Sequence, residues 1–322
     1  MIQTAEPPEK RLLLLQAVTF LHPGTGQSTG VVDLPVQREV HTRFPIYQAS
    51  GLKGALRDKA EGKWGSDCEK VTILFGGKAA ASGQAPNAGA LAFTDARILA
   101  FPVRSLHGVF FWVTCPMVIE RLRRDLALLG LGERIEAIGE GPGEGRVRLH
   151  SGAGVEGELV LEEVALTPER DQKIDRLAQL IGNLLDGNSN SGFDPKRLAL
   201  VGDEEFGYFV QYATQVSARI RLNERKTTTG GDGNLWYEET LPPETLLYAL
   251  GLCHRARVAG QGNGGGDTEE GNGSAAWVAE QLEALLEDSF LQIGGNETVG
   301  QGWCRITSHD TIPPAEEAGN GQ

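Results

Sequence analysis

The chain is poor in several things that would have made its chemistry easy to read. It has four cysteines in 322 residues, and Cys68, Cys115, Cys253 and Cys304 are scattered with no C-x-x-C pair. That spacing leaves zinc clusters and thioredoxin-like motifs unsupported, and reduced thiols in a cytosol are the expectation. No run reaches the roughly 18 apolar residues a membrane-spanning helix needs. The N-terminus lacks the basic start and small-residue cleavage site of a signal peptide, so a cytoplasmic protein without a membrane partner is expected. There is no G-x-x-x-x-G-K-[ST], no H-E-x-x-H and no G-x-S-x-G, which removes Walker-type NTPases, the common metalloproteases and serine hydrolases. Positive charge is also short: 30 Lys and Arg against 43 Asp and Glu leave a net charge of −13. Taken as a single figure, that disfavours a nucleic-acid partner, but net charge hides distribution.

What is abundant is glycine, 43 residues, nearly twice the average usage of about 7%. A loop-rich fold follows. Residues 12–21 form a continuous apolar run of the kind a buried strand carries. Two strands are expected at 89–101 and 108–114, and helices at 116–129, where Pro116 suits the first helical position, at 169–185 and at 275–291. Ser50 is a candidate cap for a helix beginning at 51 with Leu52, Ala55 and Leu56 on one face. Residues 130–160 suggest a loop or hairpin insertion, 186–195 carry turn chemistry, and 235–252 are extended around Pro242-Pro243. Residues 259–274, with seven glycines and no large apolar side chain, predict a disordered surface loop. Strands, helices and long insertions together indicate an α+β sheet domain with appendages.

Several segments carry chemistry and each has a bland alternative. Gly24–Gly30 is spaced G-x-G-x-x-x-G and is followed by Val31-Val-Asp-Leu-Pro35 rather than a helix, so it is no dinucleotide fingerprint. Its glycines suit positive φ or a close backbone approach. Residues 38–63 hold Arg38, Arg43, Lys53, Arg57, Lys59 and Lys63 against three carboxylates. Lys53 and Arg57, four apart, share a helix face and form either a phosphate contact or a solvated surface. Arg121–Arg124 and Arg219–Lys226 make two further basic clusters. Asp33 either caps a turn or does chemistry. His22, before Pro23, reads the same two ways. Glu238 and Glu239 are metal ligands or nothing, and on a strand they point to opposite faces, so at most one serves a given site. Gly294–Gly302 is a close-approach loop or a long hairpin turn.

Taken together, these pieces resemble one family. His22-Pro-Gly-Thr-Gly26, Val31-Val-Asp-Leu-Pro-Val-Gln-Arg-Glu39, Phe44-Pro-Ile46 and Ser50-Gly-Leu-Lys-Gly-Ala-Leu-Arg57 look like the N-terminal half of a RAMP-superfamily protein. Ala90–Arg97, Leu235-Trp-Tyr-Glu-Glu239, Leu241–Thr245 and Gly300-Gln-Gly302 continue the likeness, which spans most of residues 11–306. It is strongest to the repeated backbone subunits of type III-B (Cmr) CRISPR effector complexes. The resemblance implies a ferredoxin-like (RRM-like) palm, about 11–130 and 236–306, with an inserted thumb hairpin and finger elements at about 131–235 and a tail at 307–322. The thumb itself would lie around 193–225. The implied partners are a CRISPR guide RNA, a single-stranded target RNA, copies of the chain in a helical stack and the other subunits of the complex.

Residue by residue, the resemblance makes Asp33 the loop aspartate needed for target cleavage, His22 the histidine ahead of it and Glu238 an acidic group at the same phosphate. It makes Lys53, Arg57, Arg38 and the glycines at 294, 295, 300 and 302 the guide-binding face. A divalent metal, Mg or Mn, is implied, with Asp33 as a possible ligand or as the group that orients a ribose 2′-hydroxyl for attack on the adjacent phosphate. The family's usual tyrosine is replaced here by Thr240. A catalytically inactive guide-RNA scaffold is the alternative function.

Overall fold

The computed structural model describes residues 7–77, 87–130, 135–185, 191–228, 235–256 and 273–312. The expected loop at 259–274 and the tail after 307 fall largely outside them. Among the described residues fourteen strands and six helices form a mixed α+β fold.

Its centre is β1 (Glu9–Ala17), whose Leu12–Leu15 are buried without a break. The run does not alternate because both faces of the strand are covered. Side chains on successive positions point to opposite faces, and the contacts follow that rule. Arg11 and Ser308 reach Glu283 of α6 (Ala275–Leu285) on one face. Thr307 and His309 reach the Leu184 carbonyl of α4 (Gln172–Leu185) on the other.

β1 lies between β12 (Leu246–Cys253) and β14 (Trp303–His309), antiparallel to both, and β12 pairs antiparallel with β4 (Ala96–Arg104). The helix α1 (Ala49–Trp64) falls between β1 and β4 in the chain, and α6 between β12 and β14. The short β2 (Ile46–Tyr47) and β3 (Leu91–Phe93) pair with β4 and β12. β5 (Phe110–Thr114) continues the sheet from β4 and leads into α3 (Pro116–Ala127), which opens on Pro116 as expected. Beyond β5 the same sheet takes in β9 (Leu198–Leu200), β6 (Arg146–Leu149), β8 (Val164–Arg170) and β7 (Leu159–Leu161), with β5–β9 and β6–β8 parallel. At the opposite edge stands β13 (Phe290–Gln292). A separate two-stranded ribbon joins β10 (Gln215–Ile220), which follows α5 (Asp203–Tyr212), to β11 (Leu235–Thr240). The short α2 (Glu69–Phe75) packs on α1.

Four sequence expectations change. The first strand stops at Ala17 rather than running to residue 21. Ser50 lies inside α1 and Gln48 is the cap position. Gln48 provides no side-chain bond, and the Ala49 amide donates instead to Asp95 Oδ1 at 2.8 Å. The cap is tertiary. The stretch 169–185 divides into the end of β8 and α4. The stretch 275–291 divides into α6 and the start of β13, because Ser289 turns the chain at positive φ and frees Phe290–Gln292 to pair with Trp303–Arg305. No described helix is long and apolar enough to cross a membrane.

Candidate ribonuclease site

β11 is the strand on which the candidate residues converge. Leu34 runs beside it in a parallel bridge to Glu238. The Leu34 amide donates to the Tyr237 carbonyl and the Leu34 carbonyl accepts from the Glu239 amide, each at 3.0 Å. This lays the loop between His22 and Arg38 along the free edge of the ribbon. Asp33 is thereby set at the level of Tyr237, and its Oδ2 accepts the Tyr237 amide at 2.7 Å. Among the described residues Oδ1 has no hydrogen-bond donor, so one carboxylate oxygen is open to a ligand.

His22 arrives at the same strand. Its Nδ1 lies 2.7 Å from the Glu239 carbonyl. A carbonyl only accepts, so Nδ1 carries the proton, and in the neutral ring Nε2 is the acceptor. The ring is buried and packs under Gly24, where a Cβ would stand 2.6 Å from Nε2. The close-approach reading of that glycine therefore holds, with the approaching group belonging to the protein itself.

Glu238 and Glu239 do point apart. Glu238 is buried with Oε1 3.9 Å from His22 Nδ1 and Oε2 3.2 Å from Arg219 Nε, and the Asn296 side-chain amide donates to it. The contact with Arg219 is an ion pair without hydrogen-bond alignment. Asn296 also donates to Gln301 Oε1 at 2.8 Å. Glu239 turns the other way. Its Oε2 accepts the Val36 amide at 3.0 Å, and its Oε1 accepts Arg38 Nη2 at 2.5 Å and Thr214 Oγ1 at 2.9 Å.

The loop 294–302 is both things expected of it. It connects the paired strands β13 and β14 and it is a close approach, again to the protein's own backbone. The Gly295 amide donates to the His22 carbonyl at 3.0 Å, and the Gly302 amide donates to the Phe20 carbonyl at 2.8 Å. Gly294 has φ of +79° and no room for a Cβ, which would sit 2.6 Å from the His22 carbonyl oxygen. Its amide donates to the Tyr47 hydroxyl at 3.1 Å. Burial pushes the Tyr47 phenol above its ordinary pKa, against the Gly294 hydrogen bond. Gly300 alone of the four glycines has open space around it.

The basic residues divide. Lys53 and Arg57 share a face of α1. Lys53 Nζ donates to the Leu91 carbonyl at 2.8 Å and lines an open cavity of about 600 Å³. Burial, then the neighbouring Arg57, holds its pKa below the usual lysine value. Arg57 donates to Glu61 and to the Gly76 carbonyl. Arg38, expected at the RNA, has a side chain only 8% exposed, and its guanidinium donates to Glu239 and to the Arg43 and Val210 carbonyls. In this arrangement it holds the loop in place.

Local sequence pattern missed the roles of Asn296, Gln301 and Arg219, because their partner Glu238 is brought to them only by the tertiary fold. For a metal, no group of three His, Cys, Asp or Glu stands together among the described residues, and both oxygens of Glu238 are already engaged. Of Asp33 and Glu238, only Asp33 keeps a carboxylate oxygen without a partner among the described residues, and one such oxygen does not make an all-protein metal cage.

With the geometry in hand, comparison with known proteins is direct. The RAMP superfamily model matches residues 14–305. The chain is 35% identical over 298 residues to the CRISPR system Cmr endoribonuclease Cmr4 of Pyrococcus furiosus, covering 92% of this chain and 94% of that protein. It superposes on the crystal structure of oligomeric Cmr4 from Pyrococcus furiosus with a TM-score of 0.68 at 28% identity, covering 94% and 99% of the two chains. A chain of the type III-B Cmr-beta complex bound to cognate target RNA has the same fold, with a TM-score of 0.68 at 19% identity over 93% of this chain and 96% of that one. The chain belongs to the RAMP superfamily.

Proposed function

We propose that this chain is a guide-RNA-binding backbone subunit of a cytoplasmic type III-B CRISPR effector complex and an endoribonuclease that cuts guide-paired target RNA at regular intervals. The observation that carries the reading is the convergence of His22 and Asp33 on one strand, beside an open carboxylate oxygen, in a chain 35% identical to a Cmr endoribonuclease. Copies of the chain stack along the guide through a heterologous, non-closing contact, in company with the other Cmr subunits. The order β14-β1-β12-β4, antiparallel throughout with α1 and α6 as crossovers, supports a ferredoxin-like palm. The β10–β11 ribbon, exposed along most of β10 and carrying Arg219, Arg221, Arg225 and Lys226 on and beyond β10, supports the thumb.

In the reaction the ribose 2′-oxygen bonds to the adjacent phosphorus as its proton passes to solvent, and the bond from phosphorus to the 5′-oxygen of the next nucleotide breaks with that oxygen taking a proton from solvent. Asp33 Oδ1 accepts the hydrogen bond of the 2′-hydroxyl and orients it in line. The Tyr237 amide on Oδ2 keeps the carboxylate from rotating away. His22, with Nδ1 committed to the Glu239 carbonyl, supports negative charge at the phosphate as the imidazolium, with its second proton on Nε2. Glu238 fixes the Asn296 loop under His22 and needs no direct role in proton transfer. A divalent ion, when bound at Asp33, supplies neutralisation of the phosphate's developing charge.

The test is the complex assembled on its guide and given end-labelled complementary RNA, with and without EDTA. A ladder of evenly spaced fragments that EDTA suppresses is the expected result. Intact target under both conditions makes the subunit an inactive scaffold and overturns the enzymatic reading.

A further inference from the structure

Glu239 is gripped from three directions. Its amide donates to the Leu34 carbonyl at 3.0 Å, its carbonyl accepts His22 Nδ1 at 2.7 Å, and its carboxylate accepts the Val36 amide at 3.0 Å. The same carboxylate takes Arg38 and Thr214, which tie it to α5 and the start of β10. The side chains of Glu239 and Arg38 are each only 8% exposed. A buried carboxylate that accepts from a backbone amide, a guanidinium and a hydroxyl is fully satisfied and rigid, whereas removing it leaves a buried cation without its counter-charge and a buried amide without its acceptor.

We infer that Glu239 is the positioning residue of the cleavage site. It sets the Asp33 loop by its side chain and the His22 ring by its main chain, so that the two groups are held at fixed positions two residues apart on β11. Neither Glu239 nor Arg38 touches the reacting atoms. Their effect is transmitted through Val36 and Leu34 to Asp33, three and one residues away. The inference rests on the assignment of Asp33 to cleavage, and it accounts for a feature that assignment leaves open: why a solvent-edge loop rich in glycine holds its aspartate still. Displacing a reacting group by about 1 Å costs roughly a hundredfold in rate.

The experiment compares assembled complexes carrying Glu239→Ala, Glu239→Gln and Asp33→Ala in single-turnover cleavage, target-RNA binding and amide hydrogen exchange. Glu239→Ala is expected to slow cleavage about thirtyfold or more. Target affinity should stay within about twofold, and exchange should rise over residues 33–37 but not over β1 or β12. Glu239→Gln keeps an oxygen for the Val36 amide and should recover cleavage to within about fivefold of wild type. Asp33→Ala tests the underlying assignment separately: wild-type cleavage there removes that assignment and this inference with it. If Asp33→Ala is inactive while Glu239→Ala cleaves normally, the inference alone is overturned. It is also overturned if Glu239→Ala raises exchange throughout the sheet and Glu239→Gln gives no recovery, since Glu239 then serves only general stability. Should Glu239→Ala fail to assemble, Glu239→Asp, whose carboxylate is too short to reach the Val36 amide, must show the localised exchange and a cleavage loss beyond that of the Gln variant, or the inference falls.

Discussion

Gly294 shows how tightly individual residues are constrained around the site. Positive φ and the His22 carbonyl together exclude a side chain. Gly294→Ala is expected to cost about 1–3 kcal/mol, read as a lowered unfolding midpoint. It should also slow cleavage, because the group displaced is the backbone of His22. At this scale the sequence was most legible where chemistry is written in a motif: His22, Asp33 and Glu238 all come to β11. It was least legible where a partner is far away in the chain. Arg38 and Glu239 are separated by 201 residues, and nothing in the run of cations from 38 to 63 distinguishes the buried arginine from the surface ones. Opposite orientation of Glu238 and Glu239 followed from strand periodicity alone, yet which of the two would hold the loop did not.

Among the elements, α1 illustrates what pattern does and does not carry. Its buried face, Leu52, Leu56 and Ala60, follows the helical period. Its start does not follow from the local residues, because the first-turn amide is capped by Asp95, from the connection between β3 and β4. Asp95→Ala should cost about 1 kcal/mol, the usual price of a lost helix cap. Ser50→Ala should lie within about 0.5 kcal/mol of wild type. Thermal unfolding of the two variants measures both, and equal losses would return the cap to Ser50. The boundary between α6 and β13 was hidden for another reason. Residues 275–291 are apolar enough for either state, and the divide at Ser289 is set by pairing with β14.

For the whole molecule, the fold is non-local. β1 pairs with β12 and β14, both more than 200 residues further along the chain, so α+β class was readable but strand order was not. The charge of −13 is also distributed in a way the single figure conceals. Acidic groups on and after α6 are spent on the protein's own cations: Glu283 on Arg11, Glu287 on Lys63 and Asp288 on Lys59. Partial desolvation pushes the Asp288 carboxyl up, but the hydrogen bonds from Lys59 and the Phe290 amide, with the charges of Lys59 and Lys63, together outweigh it and hold the carboxyl below its ordinary pKa. Cations beyond β10, at Arg221, Arg225 and Lys226, stay exposed. The expected nucleic-acid surface therefore coexists with an acidic whole.

The measurement that bears most directly on the central claim is single-turnover cleavage of guide-paired target RNA by a complex carrying Asp33→Ala, set beside its affinity for the same RNA. Loss of cleavage by about a thousandfold or more, with affinity unchanged within about twofold, is the predicted result. Cleavage at the wild-type rate would contradict it.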